Sequence, residues 1–362
     1  MKTKTSTPLI TTIIPTYRRP ILLKRAVQSI LDQDFKDFKL IIYDDASNDE
    51  TSDICMDFTK IDKRVEYYKH SQNCGTINNH NFALKKIDTP LFSFLSDDDF
   101  MLPNFFTDAV ATLKQTPEAI CFCGSTLYVD SKGNIVGNDL ENWENGVYQP
   151  PNGLLEMIRK KHPAWQSTLF KKEVINDIGI FDSEILAMDY DYLLRVATHK
   201  TIVVNKKPYG FFQEYPHSTD LRYNITQFTQ GLLKVISNIN IVNELAICIK
   251  DEVEEAIMRT IHSSVFRDGL KAIGTDDKKN VQGAYDILNN LYQNTHKTRI
   301  FNLVYNLNFL GKLLINLWRL FGPLRRYYHS NKNQRLYKKF EHLIPKEHTL
   351  SILKEWGHKV DS

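Results

Sequence analysis

Short, largely apolar runs alternate with amphipathic stretches through the first hundred residues. Leu9–Ile14, Phe38–Tyr43 and Leu91–Leu95 are too short for helices and rich enough in Ile, Leu and Phe to be strands buried on both faces. Between them, Pro20 opens an amphipathic helix reaching Leu31, and Thr51–Lys60 reads as a second helix. Strand followed by helix, repeated, predicts a doubly wound α/β sheet. The strands run into polar turns: Pro15-Thr16-Tyr17-Arg18-Arg19-Pro20, then Asp44-Asp45-Ala46-Ser47-Asn48-Asp49-Glu50, then Ser96-Asp97-Asp98-Asp99. In such sheets ligands bind beyond the carboxyl ends of the strands, so these turns are where chemistry is expected.

The last turn is the most telling. Three adjacent carboxylates repel one another unless a cation holds them, and hard divalent ions such as Mg²⁺ and Mn²⁺ prefer carboxylate oxygens. Mg²⁺ typically takes one or two protein carboxylates and completes its shell with substrate phosphates. The competing reading is a solvated acidic turn ahead of a helix near Pro103. The first turn offers hydroxyls, an aromatic face and two guanidinium groups, which suit a nucleotide. In the second, an Asp could accept from a base or ribose or could cap the helix that follows.

Taken together, Ile13-Ile14-Pro15-Thr16-Tyr17-Arg18-Arg19, Ile42–Asp49, Asn73-Cys74-Gly75 with Asn81, and Phe94–Asp99 resemble, in order, the motifs of the inverting family 2 glycosyltransferases. The resemblance covers roughly residues 8 to 220. It implies the GT-A fold, a Rossmann-like, mostly parallel sheet with flanking helices, and a divalent metal, Mn²⁺ or Mg²⁺, as cofactor. It implies that Pro15, Thr16, Tyr17, Arg19 and Asp45 contact the nucleotide, Asp45 near the base, and that Gly75 and Asn81 line the donor pocket. In the family's acidic metal motif the first position is usually acidic, and here it is Ser96. Asp98 is then the leading metal ligand and Asp99 the next candidate, with Asp97 facing the ribose or reaching the metal through water.

Further along, Phe181–Arg195 resembles the family's acceptor-side segment, with Met188 in place of the usual first acid. The general base carried over is Asp189, with Asp191 as the alternative. Such a transferase needs one carboxylate to take the proton from the acceptor hydroxyl while a metal stabilises the leaving diphosphate. A structural reading competes: Asp189 as a helix cap and Asp191 paired with Arg195 at i,i+4. His162–Thr168 falls where the family faces its acceptor, so Trp165 and Gln166 are candidate acceptor contacts, Trp165 by stacking on a sugar ring or else as a core aromatic. His217 is a candidate phosphate or metal contact.

Length and charge add an organisation. With 362 residues the chain exceeds a single usual core, and the expected division is a catalytic domain over 1–222, a helical extension over 223–300 and a tail over 301–362. Phe301–Phe321 reads as one amphipathic helix with a broad apolar face, interrupted by Asn and Lys and therefore not a membrane span. Residues 319–339 hold seven Lys or Arg and no acid, and the whole chain carries a formal net charge of only +3, so the basic charge is local. An apolar face beside a polybasic stretch suggests an anionic membrane surface as partner, and a packed helix with a solvated basic end is the alternative. Nucleic acid is not an expected partner, because no binding motif accompanies the basic residues. Five cysteines without a CxxC pair fit a reducing compartment, so the expected location is the cytoplasm, peripheral on the cytoplasmic face of the membrane.

The activity expected is transfer of a single sugar from a nucleotide-diphosphate sugar, UDP-linked, to a surface-glycan or lipid-linked saccharide acceptor, with inversion. A noncatalytic nucleotide-sugar-binding scaffold is the alternative that Ser96 and Met188 raise.

Overall fold

The computed structural model describes residues 7–130, 135–213, 224–320 and 340. The chain divides into two compact units. The first runs through β1 (Ile10–Thr16), α1 (Pro20–Leu31), β2 (Phe38–Asp44), α2 (Thr51–Ile61), β3 (Val65–Lys69), α3 (Thr76–Leu84), β4 (Leu91–Phe94), β5 (Phe100–Met101), α4 (Phe105–Gln115), β6 (Cys121–Val129), β7 (Ile135–Asn138), β8 (Gly146–Tyr148), α5 (Asn152–Arg159), β9 (Thr168–Lys171), α6 (Glu173–Ile178), α7 (Met188–His199) and β10 (Ile202–Gln213).

Its ten strands form one sheet in the order β3-β2-β1-β4-β9-β6-β10-β5, with β7 beside β6 and β8 beside β10. The predicted strands make the parallel half: β1 pairs with β2 and β4, and β2 with β3, all parallel. Then β9 runs antiparallel between β4 and β6, so the sheet is mixed. One face is closed by Leu23, Val27 and Ile30 of α1 and Phe105, Phe106 and Val110 of α4, packed on Ile10, Ile14, Leu40 and Ile42. On the other face lies an aromatic group in which Phe92 stacks on Phe170 with centroids 5.2 Å apart and Phe181 meets Tyr192 at 4.8 Å. Burial on both faces explains why these strands read as continuous apolar runs, and it leaves the loops at their carboxyl ends as the exposed edge.

The second unit contains α8 (Ile225–Asn240), α9 (Ile247–Thr275), α10 (Lys278–Leu291), α11 (His296–Asn306) and α12 (Phe309–Leu320). The 29-residue α9 is its spine, and the close approach at Gly269 is diagnostic: a Cβ there would lie 2.6 Å from Ala284 and 2.7 Å from the ring of Phe301. The single helix expected over 301–321 is instead broken. Asn308 adopts a left-handed conformation, φ 48°, and α11 and α12 meet at a bend of 118°. The buried residue Phe301 belongs to α11, which crosses the expected boundary at 300, while Phe309, Leu310, Leu313, Leu314 and Leu317 of α12 are exposed. Among the described residues, no single helix is long and apolar enough to cross a membrane, although α11 and α12 together meet that test by length and composition.

Candidate active site

The carboxyl ends of β1 and β2 lie side by side, with Thr16 opposite Asp44 in the parallel register and the Asp45 N–H donating to Thr16 O at 2.9 Å. Beyond them the chain makes two sharp turns through non-glycine residues with positive φ, Arg18 at 55° and Ala46 at 62°. Each such conformation costs about 1 kcal/mol and needs surrounding contacts to hold it. One is supplied by Ser47, whose Oγ accepts from the Arg18 N–H at 2.8 Å. Tyr17 is left standing out of the loop, 39% exposed, with the Arg18 guanidinium 5.0 Å above its ring.

Asp45 is buried and holds the loop before α3: Oδ1 accepts from the Cys74 N–H at 2.7 Å and Oδ2 from the Gly75 N–H at 3.0 Å. Gly75 has φ 82°, and a Cβ there would meet nothing, so conformation rather than space demands the glycine. Each Asp45 oxygen keeps a second lone pair for a base or ribose donor. Asn81, the other residue expected at this pocket, is buried. Its amide is spent on the backbone of Phe181, donating to the carbonyl and accepting from the N–H, both at 2.9 Å, because those two peptide groups are otherwise buried without partners.

In the acidic run the three carboxylates diverge. Asp97 accepts from Thr16 Oγ1 at 2.7 Å and from Arg19 at 3.0 Å. Asp98 accepts from the same Arg19 nitrogen at 2.6 Å, and its carbonyl accepts from Arg25. The cation that the sequence demanded beside these carboxylates is therefore present as the guanidinium of Arg19. Burial raises Asp97 to about 6, opposed by Arg19 and reinforced by Asp98. Asp99 points inward, with Gln166 Nε2 at 2.5 Å and the Gln213 N–H at 2.9 Å on its two oxygens, and burial and Asp98 push its pKa well up. Asp99 and Gln166 are thus both buried and bonded to each other, and neither is presented to solvent.

Among the described residues no three His, Cys, Asp or Glu side chains converge as a metal cage. A cation held jointly by phosphates needs less, and the Asp98 carboxylate, 19% exposed and next to Asp97, offers the hard oxygen such an ion takes.

In the segment expected to face the acceptor, α7 begins at Met188, which puts Asp189 and Asp191 in its first turn, where negative charge is favoured. The two then part. Asp191 is buried and paired with Arg195 at 2.9 Å, while Arg195 also donates to the carbonyls of Ile178 and Ile180. This pairing ties α7 to the end of α6, in keeping with the structural reading of Asp191. Asp189 is half-buried and lines a small pocket with Phe94, Trp165, Phe170, Phe181, Tyr192 and Leu193. Trp165 is half-buried and stacks with His80 at 5.0 Å and Phe94 at 5.5 Å, so its ring belongs to the aromatic cluster. His217 lies outside the described residues.

Three residues of this site escaped sequence reasoning. His80 is buried in the aromatic cluster, its Nδ1 bonded to Thr76 O at 2.7 Å and its Nε2 buried without a hydrogen-bond partner. Burial lowers its pKa to about 4 against the opposing effects of the Thr76 carbonyl and Asp189. Asp139, raised to about 6 by burial, accepts from the Ala164 N–H at 2.7 Å and so anchors the Trp165 segment. Arg25 caps the Asp98 carbonyl and lies 4.8 Å over the Phe100 ring. No motif flags any of them, since each acts through a contact distant in sequence.

A mixed sheet, parallel from β3 through β4 and again between β6 and β10, with polar loops at the carboxyl ends of β1, β2 and β4, is the GT-A fold. Residues 11–179 match the family model of glycosyl transferase family 2. A Campylobacter jejuni GalNAc(5)-diNAcBac-PP-undecaprenol beta-1,3-glucosyltransferase is 32% identical over 35% of this chain and 41% of its own length. An uncharacterised Rickettsia typhi glycosyltransferase is 32% identical over 53% of this chain and 59% of its own. The chain thus spans about half the length of these curated relatives. Among solved structures, S. aureus TarS in complex with UDP-GlcNAc superposes with a TM-score of 0.61 at 18% identity, covering 77% of this chain and 80% of that one. The Pyrobaculum calidifontis mannosyltransferase PcManGT in complex with GDP-Man and Mn²⁺ gives 0.51 at 15%, covering 87% and 88%.

Proposed function

We propose that this chain transfers one sugar from a nucleotide-diphosphate sugar, UDP-linked, to a lipid-linked or surface-glycan saccharide, with inversion. The observation that carries the proposal is the joining of the β1 loop to the acidic run: Thr16 and Arg19 bind Asp97 and Asp98, beside an Asp45 held by the Cys74 and Gly75 amides. Pro15, Thr16, Tyr17 and Asp45 are assigned to the nucleoside, Arg19 to the diphosphate, and Asp97 to the ribose. Asp98 would hold Mn²⁺ or Mg²⁺, which when bound neutralises charge on the departing diphosphate. Asp189 is assigned as the base that takes the proton of the acceptor hydroxyl, and the aromatic wall around it keeps water from competing. A base on the acceptor side that forms no covalent intermediate gives inversion. The C. jejuni relative's name specifies a polyprenol-diphosphate saccharide, which supports a lipid-linked acceptor here.

Association with an anionic membrane is proposed through α12, whose exposed Phe309, Leu310, Leu313, Leu314 and Leu317 precede the basic stretch 319–339. The test of the transferase reading is a panel of UDP- and GDP-sugars incubated with Mn²⁺ and a polyprenyl-diphosphate saccharide. One donor should yield nucleoside diphosphate and a product whose anomeric centre, by NMR, is opposite to the donor's. A retained anomer, or no release from any donor, contradicts the reading.

A further inference from the structure

The Arg19 guanidinium occupies the place where a divalent cation would act. A single nitrogen, Nη1, lies 3.0 Å from an oxygen of Asp97 and 2.6 Å from an oxygen of Asp98, bridging adjacent carboxylates from two different side chains. The side chain is 37% exposed, whereas those of Asp97 and Asp98 are 7% and 19% exposed, so the arginine lies over the acids on the solvent side. The second Asp97 oxygen is taken by Thr16, and Arg25 caps the backbone carbonyl of Asp98. Arg19 thus bridges the remaining Asp97 oxygen and one of the two Asp98 carboxylate oxygens.

A guanidinium and a divalent ion cannot share those oxygens. Both would stand within a few ångströms of the same carboxylates with like charge, in a partly buried place where repulsion is poorly screened. A diphosphate resolves the conflict, because guanidinium groups match phosphate oxygens in geometry at least as well as they match carboxylates. Arg19 is the N-cap residue of α1, directly after the strained Arg18, and its side chain makes no capping hydrogen bond to the helix.

We propose that Arg19 is the resident counter-cation of Asp97 and Asp98, that it passes to the diphosphate when donor arrives, and that divalent metal binding is thereby conditional on nucleotide. This rests on the donor-site reading above. The consequence runs against ordinary expectation: removing a residue of the binding site should strengthen binding of one of its ligands.

The experiment measures Mn²⁺ alone, by the electron paramagnetic resonance signal of free Mn²⁺, against wild type, Arg19→Gln and Arg19→Lys without nucleotide. Arg19→Gln should bind Mn²⁺ at least tenfold more tightly than wild type and gain more in melting temperature from it. Arg19→Lys, which keeps a charge but not the fork, should fall between and guards against a folding defect in the first variant. UDP measured separately should bind Arg19→Gln about tenfold more weakly. Equal Mn²⁺ binding by all three proteins, strong or absent, overturns the proposal. Failure of wild type to bind any nucleotide with or without Mn²⁺ would instead overturn the donor site, a result independent of the Mn²⁺ comparison.

Discussion

Asn81 and Phe181 clasp one another across 100 residues of chain, the Asn81 amide exchanging two hydrogen bonds of 2.9 Å with the Phe181 peptide groups. The clasp ties α3, which follows the nucleotide-side loop, to the segment leading to Asp189. It also sets the ring of Phe181 against His80, Phe94 and Trp165.

Asn81→Ala leaves both peptide groups buried and unpaired, so it should lower stability by about 2–3 kcal/mol in urea denaturation. It should also raise KM for the acceptor more than for the donor, since Phe181 lines the Asp189 pocket. A loss under about 0.5 kcal/mol would mean that water replaces the amide without penalty.

Asp189 and Asp191 should separate cleanly. Asp189→Asn should keep nucleotide binding and stability while turnover falls by roughly two to four orders of magnitude, the range for loss of a general base. Asp191→Ala breaks a buried pair with Arg195 and should cost roughly 3 kcal/mol of stability. If Asp191→Ala leaves the melt unchanged but abolishes turnover, the assignment of the base is wrong.

Much of this was readable in the chain. The runs at Leu9, Phe38 and Leu91 became the parallel strands, because burial on both faces leaves an apolar signature without reference to anything distant. The acidic run stands out in the local sequence, whereas the Asp189 segment is marked only by its resemblance to a family motif. Partnerships were not readable: nothing near Asp99 announces Gln213, nothing near Arg19 announces Asp97, and nothing near Asn81 announces Phe181. Nor does the amphipathic pattern over 301–321 reveal the break at Asn308, because both helices keep apolar positions at helical spacing and the turn depends on one backbone conformation.

His80 gives a pH test with a definite sign. Its folded pKa of about 4 lies below the free value of 6.5, so the unfolded chain takes up a proton first as pH falls. The stability it contributes is present above pH 6.5 and is lost as pH falls toward 4, by roughly 3 kcal/mol at most. Asp97 and Asp139, raised to about 6, act in the opposite direction, binding protons in the folded state first. The comparison should therefore be wild type against His80→Phe, in which the acids cancel. The stability of wild type relative to the variant should decline from pH 7 to pH 4, and a flat difference would mean that His80 is not held neutral.

The membrane proposal is best tested by substitution on α12 rather than by removing residues 301–362, because that deletion takes away the buried Phe301. Replacing Leu310, Leu313 and Leu314 with Gln should release the protein from phosphatidylglycerol vesicles in flotation while turnover on a soluble acceptor is kept. Salt should weaken binding of the unaltered chain without abolishing it, since screening touches only the electrostatic part. Equal binding to neutral and anionic vesicles would contradict the proposal.

The central claim is that the loops of β1, β2 and β4 form one metal-assisted nucleotide-sugar site, and thermal stabilisation tests it without knowledge of the acceptor. In Mn²⁺, one nucleotide-diphosphate sugar should raise the melting temperature of wild type by several degrees, and the rise should vanish in excess chelator and in Asp98→Ala, whose melt without ligand should match wild type. A rise of equal size in Asp98→Ala, or none with any nucleotide sugar, would contradict the account.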